Sequence, residues 1–486
     1  MESESPLSKN GLVETHISTL FFVDDLVYKR KRPIRTDFVD FSELSARRAA
    51  CEREVDLNRR LAPDAYLGVA DMTLNSAVVD HFVVMRRFPE ACRLSAMLSG
   101  SSANELVCSV AELIAAFHQG PATGEAIAAA SGYVAVKRLW QDGIAAIERR
   151  IDSVFDVHEV ARLALLVSEY LQGRQPLFDA RIAAGCAVDG HGDLQAEDIF
   201  CCDDGPQVLD CLEFSDRLRF GDRLNDVAFL AMDLERLGHR ELAETFLRRY
   251  CDASGAAWPR SLEHFYIAYR AHVRAKVACI RHDQGDLFAA EAARSLHSLA
   301  LMHLEAGRVR LILVGGGPGT GKTNLSRALG AEMKAVVLSS DVLRDEIQPR
   351  VDARPDGELN AGRYESERVD AVYRELLDRA RALLAMGESV ILDASWLEPD
   401  RRVWARDLAS EAACPITELR CVCSQEIAEQ RIEDRVAAGT DASEATVDVA
   451  RWFDSQTKPW TEAHDVSTER VVALAVDDAL RFAAMP

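Results

Sequence analysis

The run "GGPGTGKT", Gly316, Gly317, Pro318, Gly319, Thr320, Gly321, Lys322 and Thr323, has the residue types needed to hold a phosphate chain. Its glycines let backbone N–H groups turn inward around a phosphate, Lys322 adds a point charge, and the Thr323 hydroxyl can ligate magnesium. The apolar "RLILV" precedes it and the helical pattern "NLSRALGAEM" follows, which is the strand-to-helix context that such a loop needs. A loop that bound nothing would be a flexible turn between the same two elements. Asp393 closes a later apolar run, "VILD", where a carboxylate could hold magnesium through water. In "SSDVLRDEI", Asp341 could activate an acceptor hydroxyl or cap a helix, with Arg344 one turn on. "RIEDR" sets Arg431 and Arg435 one helical turn apart, placed either to stabilise charge on a transferring phosphoryl group or to stand as a solvated, salt-bridged face.

A second set of chemistry-bearing residues lies nearer the amino terminus. Phosphoryl transfer needs a carboxylate for the hydroxyl, metal ligands, and a lysine on the nucleotide phosphates held by a partner carboxylate. Lys29 ends the strand-like "VYK", and Glu54 lies in the helical "CEREVDLNRRL". In "HGDLQAEDIF", Asp193 follows His191 and Gly192, and Asp198 stands at the fifth position after it; Glu213 lies in "LEF". A solvated loop explains any one of these residues, but the ordered set points to phosphoryl transfer. Lys29 and Glu54 would serve the nucleotide, Asp193 would face the acceptor, and Asp198 and Glu213 would bind magnesium. Most of the other charges of "YKRKRPIR" read as a solvated strand edge.

These residues need two kinds of scaffold. The first ninety residues read as short strands with one helix, including two extended runs around an Asp24-Asp25 turn. Helical spacing then dominates to about residue 305, giving a small β-rich lobe followed by a larger helical one. From Arg308 onward "RLILVGG", "KAVVLSSD", "SVILDAS", "ITELRCVC" and "RVVALAV" read as five strands separated by helices, the pattern of a parallel α/β sheet. The expected domains are residues 1–300 and 308–486, of α+β and α/β class respectively.

Composition narrows the chemistry further. At 486 residues and 48% hydrophobic content, the chain can bury two cores. A net charge of -21 argues against general binding to nucleic acid or anionic membrane, so an anionic ligand must be held by local positive charge. No apolar run approaches the ~20 residues that span a bilayer, and "MESESPLSKN" has no signal-peptide pattern, so a cytoplasmic protein is expected. The twelve cysteines contain no C-x-x-C pair and read as buried thiols.

Residues 308–486 resemble small P-loop kinases related to gluconate, shikimate and polynucleotide 5′-hydroxyl kinases. The resemblance implies ATP-dependent phosphorylation of a hydroxyl, with Asp341 activating it, residues from about 346 to 368 shaping the acceptor site, and Arg431 and Arg435 in a lid. Residues 12 to about 280 resemble the aminoglycoside phosphotransferase-like family, specifically bacterial proteins that fuse such a domain to a P-loop kinase. The resembling stretches include "VYKRKRP", "CEREVDLNRRLAPDAYLGV", "VVMRRFP", "HGDL" and "LDCLEFSDRLRFGDRLNDVAFLAMDLE". This implies a bilobal kinase-like fold. Gln195 and Asp198 depart from the family's common histidine and asparagine, and Glu213 from the aspartate more usual in kinase-like folds. Carboxylates at 198 and 213 can still bind magnesium, because hard cations take oxygen ligands.

The reading is an ATP- and magnesium-dependent phosphotransferase acting on a small-molecule hydroxyl, with oligomeric state left open. One alternative makes the first domain a degenerate kinase-like sensor or scaffold for the P-loop domain. Another is an ATPase regulator or a nucleic-acid end-processing kinase, against which the acidity weighs.

Overall fold

The computed structural model describes residues 11–15, 17–35, 39–120, 124–347, 366–438 and 458–484, together with 447, 450 and 451. Two compact units divide the chain. The first takes residues 1–161, 178–258 and 263–303, and the second takes 162–177, 259–262 and 304–486.

The first unit opens with strands β1 (Leu12–Glu14), β2 (Ser18–Val23), β3 (Leu26–Lys31), β4 (Tyr66–Leu74) and β5 (Ala77–Arg86). They form an antiparallel sheet in the order β1-β2-β3-β5-β4. Asp24 at the β2–β3 turn has φ +49°, and Asn75 and Ser76 between β4 and β5 have φ +50° and +65°. Positive φ at both central residues, Asn75 and Ser76, matches the β4–β5 hairpin to the twist of its strands. The helix Leu44–Asn58 lays Cys51 and Val55 against Val27, Val83 and Met85, which anchors its carboxylate-bearing turn over the sheet.

Short strands β6 (Ala187–Asp189), β7 (Ile199–Cys202), β8 (Gly205–Val208) and β9 (Phe220–Asp222) flank the loop 190–198, with β6 paired to β9 and β7 to β8. Helices Ala103–His118, Tyr133–Glu148, Arg223–Arg236, Arg240–Ser254 and Arg260–Asp283 supply most of the surrounding helical mass. Two of them approach closely: a Cβ at Gly143 would stand 2.5 Å from Nε2 of His272, whose ring lies 5.2 Å from that of Trp140.

Burial pushes His272 down to about 3, with His297 and Lys276 adding to the effect. Its folded pKa thus lies below the unfolded value, so at mildly acid pH the unfolded chain binds a proton that the folded chain refuses. Stability conferred by this group is complete above the unfolded value of about 6.5 and falls as pH drops below it. The loss should reach about 2 kcal/mol at pH 5. Denaturant unfolding at pH 7 and pH 5 checks this, and His272→Leu should flatten the difference; an unchanged slope would remove His272 as the cause.

The second unit is built on β10 (Leu311–Gly315), β11 (Val336–Ser339), β12 (Val390–Asp393), β13 (Ile416–Val422) and β14 (His464–Ser467). All four pairings are parallel, in the order β11-β12-β10-β13-β14. Four strands fall where the apolar runs place them, but the fifth does not. "RVVALAV" enters the helix Val472–Ala483, and the edge strand is the polar "HDVS" before it. Ala475, Val476, Ala479 and Ala483 are buried at helical spacing against the sheet, and a short apolar run does not reveal that period.

Residues 162–177 and 259–262 pack within this unit. Arg174 donates to the Ala412 carbonyl, and Ser261 Oγ donates to the Gly387 carbonyl at 2.7 Å. All twelve cysteines are free. Among the described residues, no helix is long and apolar enough to cross a membrane.

Candidate functional site

In the first unit the alternation of β3 turns Val27, Lys29 and Lys31 to one buried face. Glu54, fully buried on its helix, stands between the two lysines: Lys29 Nζ is 2.8 Å from Oε1 and Lys31 Nζ 2.6 Å from Oε2. Lys29 also reaches Asp210 Oδ1 at 2.5 Å, and Lys31 pairs with Glu213. Burial works against the charged form of Lys29, but Asp210, Glu54 and Glu213 outweigh it and hold the ammonium well above its ordinary value. Burial likewise opposes ionisation of Glu54, and the two lysines overcome it, leaving the carboxyl below the usual range.

Two features here differ from the sequence reading. Lys31, within a cluster read mostly as a solvated edge, is fully buried. Glu213, expected as a metal ligand, faces Lys31, with burial pushing its carboxyl up despite that lysine. Asp210, which the sequence reading passed over, is the carboxylate beside Lys29. Its backbone is left-handed, φ +64°, and is fixed by its N–H donating to Tyr66 Oη at 3.0 Å and by Cys211 N–H donating to Asn58 Oδ1 at 2.8 Å.

The loop carrying Asp193 is shaped by Asp226 on the helix Arg223–Arg236. One Asp226 oxygen accepts the His191 N–H and the other the Gly192 N–H, each at 2.8 Å, while His118 Nε2 lies 3.0 Å away. Burial opposes the charge, but the hydrogen bond and charge of His118 hold Asp226 far below the usual carboxylate range. Gly192 has φ +87°, and a Cβ at Gly190 would stand 2.6 Å from Asp226 Cγ, so both positions require glycine. Within "RLNDVAF" nothing but the position of Asp226 one turn into a helix could have signalled this role.

Burial, opposed by Arg274 and reinforced by Asp210, pushes Asp193 up to about 6. Asp198 is raised well above the usual range by burial, then by Asp210 and Asp193. Asp193, Asp198 and Asp210 thus act on one another as like charges, while Lys29 holds the Asp210 carboxyl below the usual range against its burial. Among the described residues no group of three or more His, Cys, Asp or Glu is arranged as a ready metal centre.

In the second unit, Gly316, Gly319 and Gly321 have φ +133°, +77° and +87°. A Cβ at Gly319 would also lie 2.4 Å from the Ala428 carbonyl, so the loop can pass the helix Gln425–Ala438 only as glycine. Lys322 opens the helix Lys322–Met333 and donates to Gly317 O at 2.9 Å, curled over the loop it belongs to. Thr323 Oγ1 donates to Asp393 Oδ2 at 2.8 Å, joining the loop to the end of β12. Burial raises the Asp393 carboxyl, while Lys322 and the Thr323 bond pull it back.

Lys322, Thr323, Asp341, Asp393, Arg431 and Arg435 all line one cavity of about 860 Å³. Asp341 lies in the helix Ser340–Ile347 and pairs with Arg344 at 2.7 Å. Arg431 donates to Gly319 O at 3.4 Å and to Thr468 O at 2.7 Å, at the rim of the phosphate loop. Most of the stretch expected to shape the acceptor site, residues 348–365, lies outside the described residues.

Residues 24–264 match the phosphotransferase enzyme family, and residues 311–459 match the AAA domain family. Uncharacterized proteins of Mycobacterium tuberculosis and Mycobacterium bovis are 41% identical to this chain over 459 residues, covering 94% of it and 91% of each relative. Among solved structures, a choline/ethanolamine kinase family protein from Mesorhizobium loti is 12% identical with TM-score 0.39, covering 62% of this chain and 94% of its own. The Mycobacterium tuberculosis APS kinase bound to AMPPNP and APS is 17% identical with TM-score 0.29, covering 37% of this chain and 99% of its own.

Proposed function

The chain belongs to the bacterial family that joins a phosphotransferase domain to a P-loop kinase-like domain, and from that premise we propose an ATP- and magnesium-dependent kinase acting on small-molecule hydroxyls. The observation that carries the reading is the Thr323–Asp393 bond beside Lys322, at the floor of a cavity that also holds Asp341. In this reading Thr323 and Asp393 would hold magnesium, which would neutralise phosphate charge, while the loop N–H groups and Lys322 position the phosphates. Asp341 accepts the proton of the acceptor hydroxyl, and Arg431 and Arg435 stabilise charge on the moving phosphoryl group. All these residues lie within 308–486, inside the second unit.

The first unit carries a second nucleotide site, with all its named residues inside the expected domain 1–300. Lys29, steadied by Glu54, serves the phosphates, Asp198 and Asp210 take the metal, and Asp193 faces an acceptor. The charge crowding at Asp198 favours a second reading for this domain, a nucleotide sensor that binds without turnover. Incubating the whole chain with γ-labelled ATP and panels of sugars, nucleosides, polyols and aminoglycosides tests the proposal. Label recovered in an organic acceptor supports it, whereas label released solely as inorganic phosphate makes the protein an ATPase. The whole chain is needed because residues 162–177 and 259–262 belong to the second unit.

Asp198→Asn removes one of three repelling carboxylates. In the full chain carrying Lys322→Ala, it should raise metal-free ATP affinity and flatten its dependence on magnesium. Calorimetry across a magnesium series reads both, and superimposable curves would take Asp198 out of the metal site.

A further inference from the structure

The helix Arg260–Asp283 carries a surplus of positive charge beside the loop that bears Asp193. Arg270 is committed: its Nε donates to Asn225 O at 2.8 Å, its Nη1 to Gly192 O at 3.2 Å, and its guanidinium stacks over Phe229. Arg217 is paired with Asp142 at 2.8 Å. Arg274, one helical turn beyond Arg270 and therefore on the same side, is half-buried and makes no hydrogen bond or ion pair with another described residue. It is also the positive group that acts most strongly on Asp193. Lys276, two residues on, is half-buried and has Asp142 and Arg217 as its charged neighbours.

Holding an unpaired guanidinium half out of water costs free energy that an exposed position would not. Arg274 acts on Asp193 through space but forms no ion pair or hydrogen bond with a described residue, which leaves its N–H donors for an anion from outside. Asp210 is matched by Lys29, and in the proposed function Asp198 and Asp210 would hold the metal that accompanies ATP.

We propose that the first unit takes an anionic acceptor, a hydroxylated molecule whose carboxylate or phosphate is gripped by Arg274 while its hydroxyl faces Asp193. The planar guanidinium suits either oxyanion, with two parallel N–H donors. A polycation such as an aminoglycoside meets Arg274 and Lys276 as like charges and is excluded. The proposal rests on reading Asp193 as the carboxylate that faces the hydroxyl. Its test reads binding without turnover, so a failure of phosphoryl transfer leaves it decidable.

The probes are D-glycerate, glycerol 3-phosphate, glycerol and kanamycin, titrated calorimetrically into the full chain carrying Lys322→Ala, with ATP and magnesium omitted. At least one of the two anions should bind more than tenfold tighter than glycerol or kanamycin, and which one does so separates carboxylate from phosphate recognition. Arg274→Gln should weaken that anion at least tenfold, and Arg274→Lys should recover part of the loss, which a misfolded variant would not do. Binding of neither anion, equal binding of kanamycin, or an anion affinity unchanged by Arg274→Gln would overturn the proposal.

Discussion

Lys322→Ala is expected to lower turnover at the phosphate loop of the second unit by about 10²–10³-fold, the usual cost of removing one charge-stabilising donor from a transition state. Folding should survive the change. Lys322 is half-buried and its hydrogen bond goes to Gly317 O within its own loop, so no core contact depends on it. The terminal phosphates of ATP would replace that carbonyl as its partner, which turns a local bond into the charge that follows the phosphoryl group during transfer. The variant should keep its circular dichroism spectrum while losing ATP consumption. A folded variant that consumes ATP at the wild-type rate would move the main active site away from this loop.

The second large effect belongs to Glu54. Glu54→Gln leaves Lys29 and Lys31 to share a buried site in which a single carboxylate has bridged both ammonium groups. Removing one partner of a buried ion pair typically costs about 3–5 kcal/mol, because the remaining charge stays desolvated. The first unit should therefore unfold at clearly lower denaturant concentration, and ATP affinity at that unit should fall with the loss of a fixed Lys29. Glu54→Asp, which keeps the charge on a shorter stem, should cost less. A Glu54→Gln protein within about 1 kcal/mol of wild type would mean that Glu213 and Asp210 alone neutralise both lysines.

The two-scaffold architecture was readable because strand runs alternate and helix runs repeat at different periods. The phosphate loop was readable because its backbone turns demand glycine at fixed spacing, and the residues at 316, 319 and 321 do take positive φ. Pairings across the chain were less so. Lys29 and Glu54 come together as their order suggested, but sequence distance could not say which acid meets which lysine.

Parity held a clue that went unused: Lys29 and Lys31 are two apart on a strand, so a buried Lys29 implied a buried Lys31, and with it a second acid. Asp210 stayed hidden because its reach to Lys29 depends on a left-handed turn at a non-glycine residue, which the letters "VLDCL" do not reveal. Asp226 was hidden for another reason: it holds backbone N–H groups of a distant loop, and any helix-borne aspartate carries the same signature in sequence. The edge strand His464–Ser467 is short and polar, so the apolar run after it was the stronger but misleading signal.

The proposed function requires two separate phosphate-binding sites in one chain, one around Lys29 and one around Lys322. Calorimetric titration of the whole chain with a nonhydrolysable ATP analogue and magnesium tests it most directly, run on wild type, Lys29→Met and Lys322→Ala. Two sites per chain are expected in the wild type and one tight site in each variant, with a different affinity remaining in each. A single site in the wild type, lost equally in both variants, would contradict it.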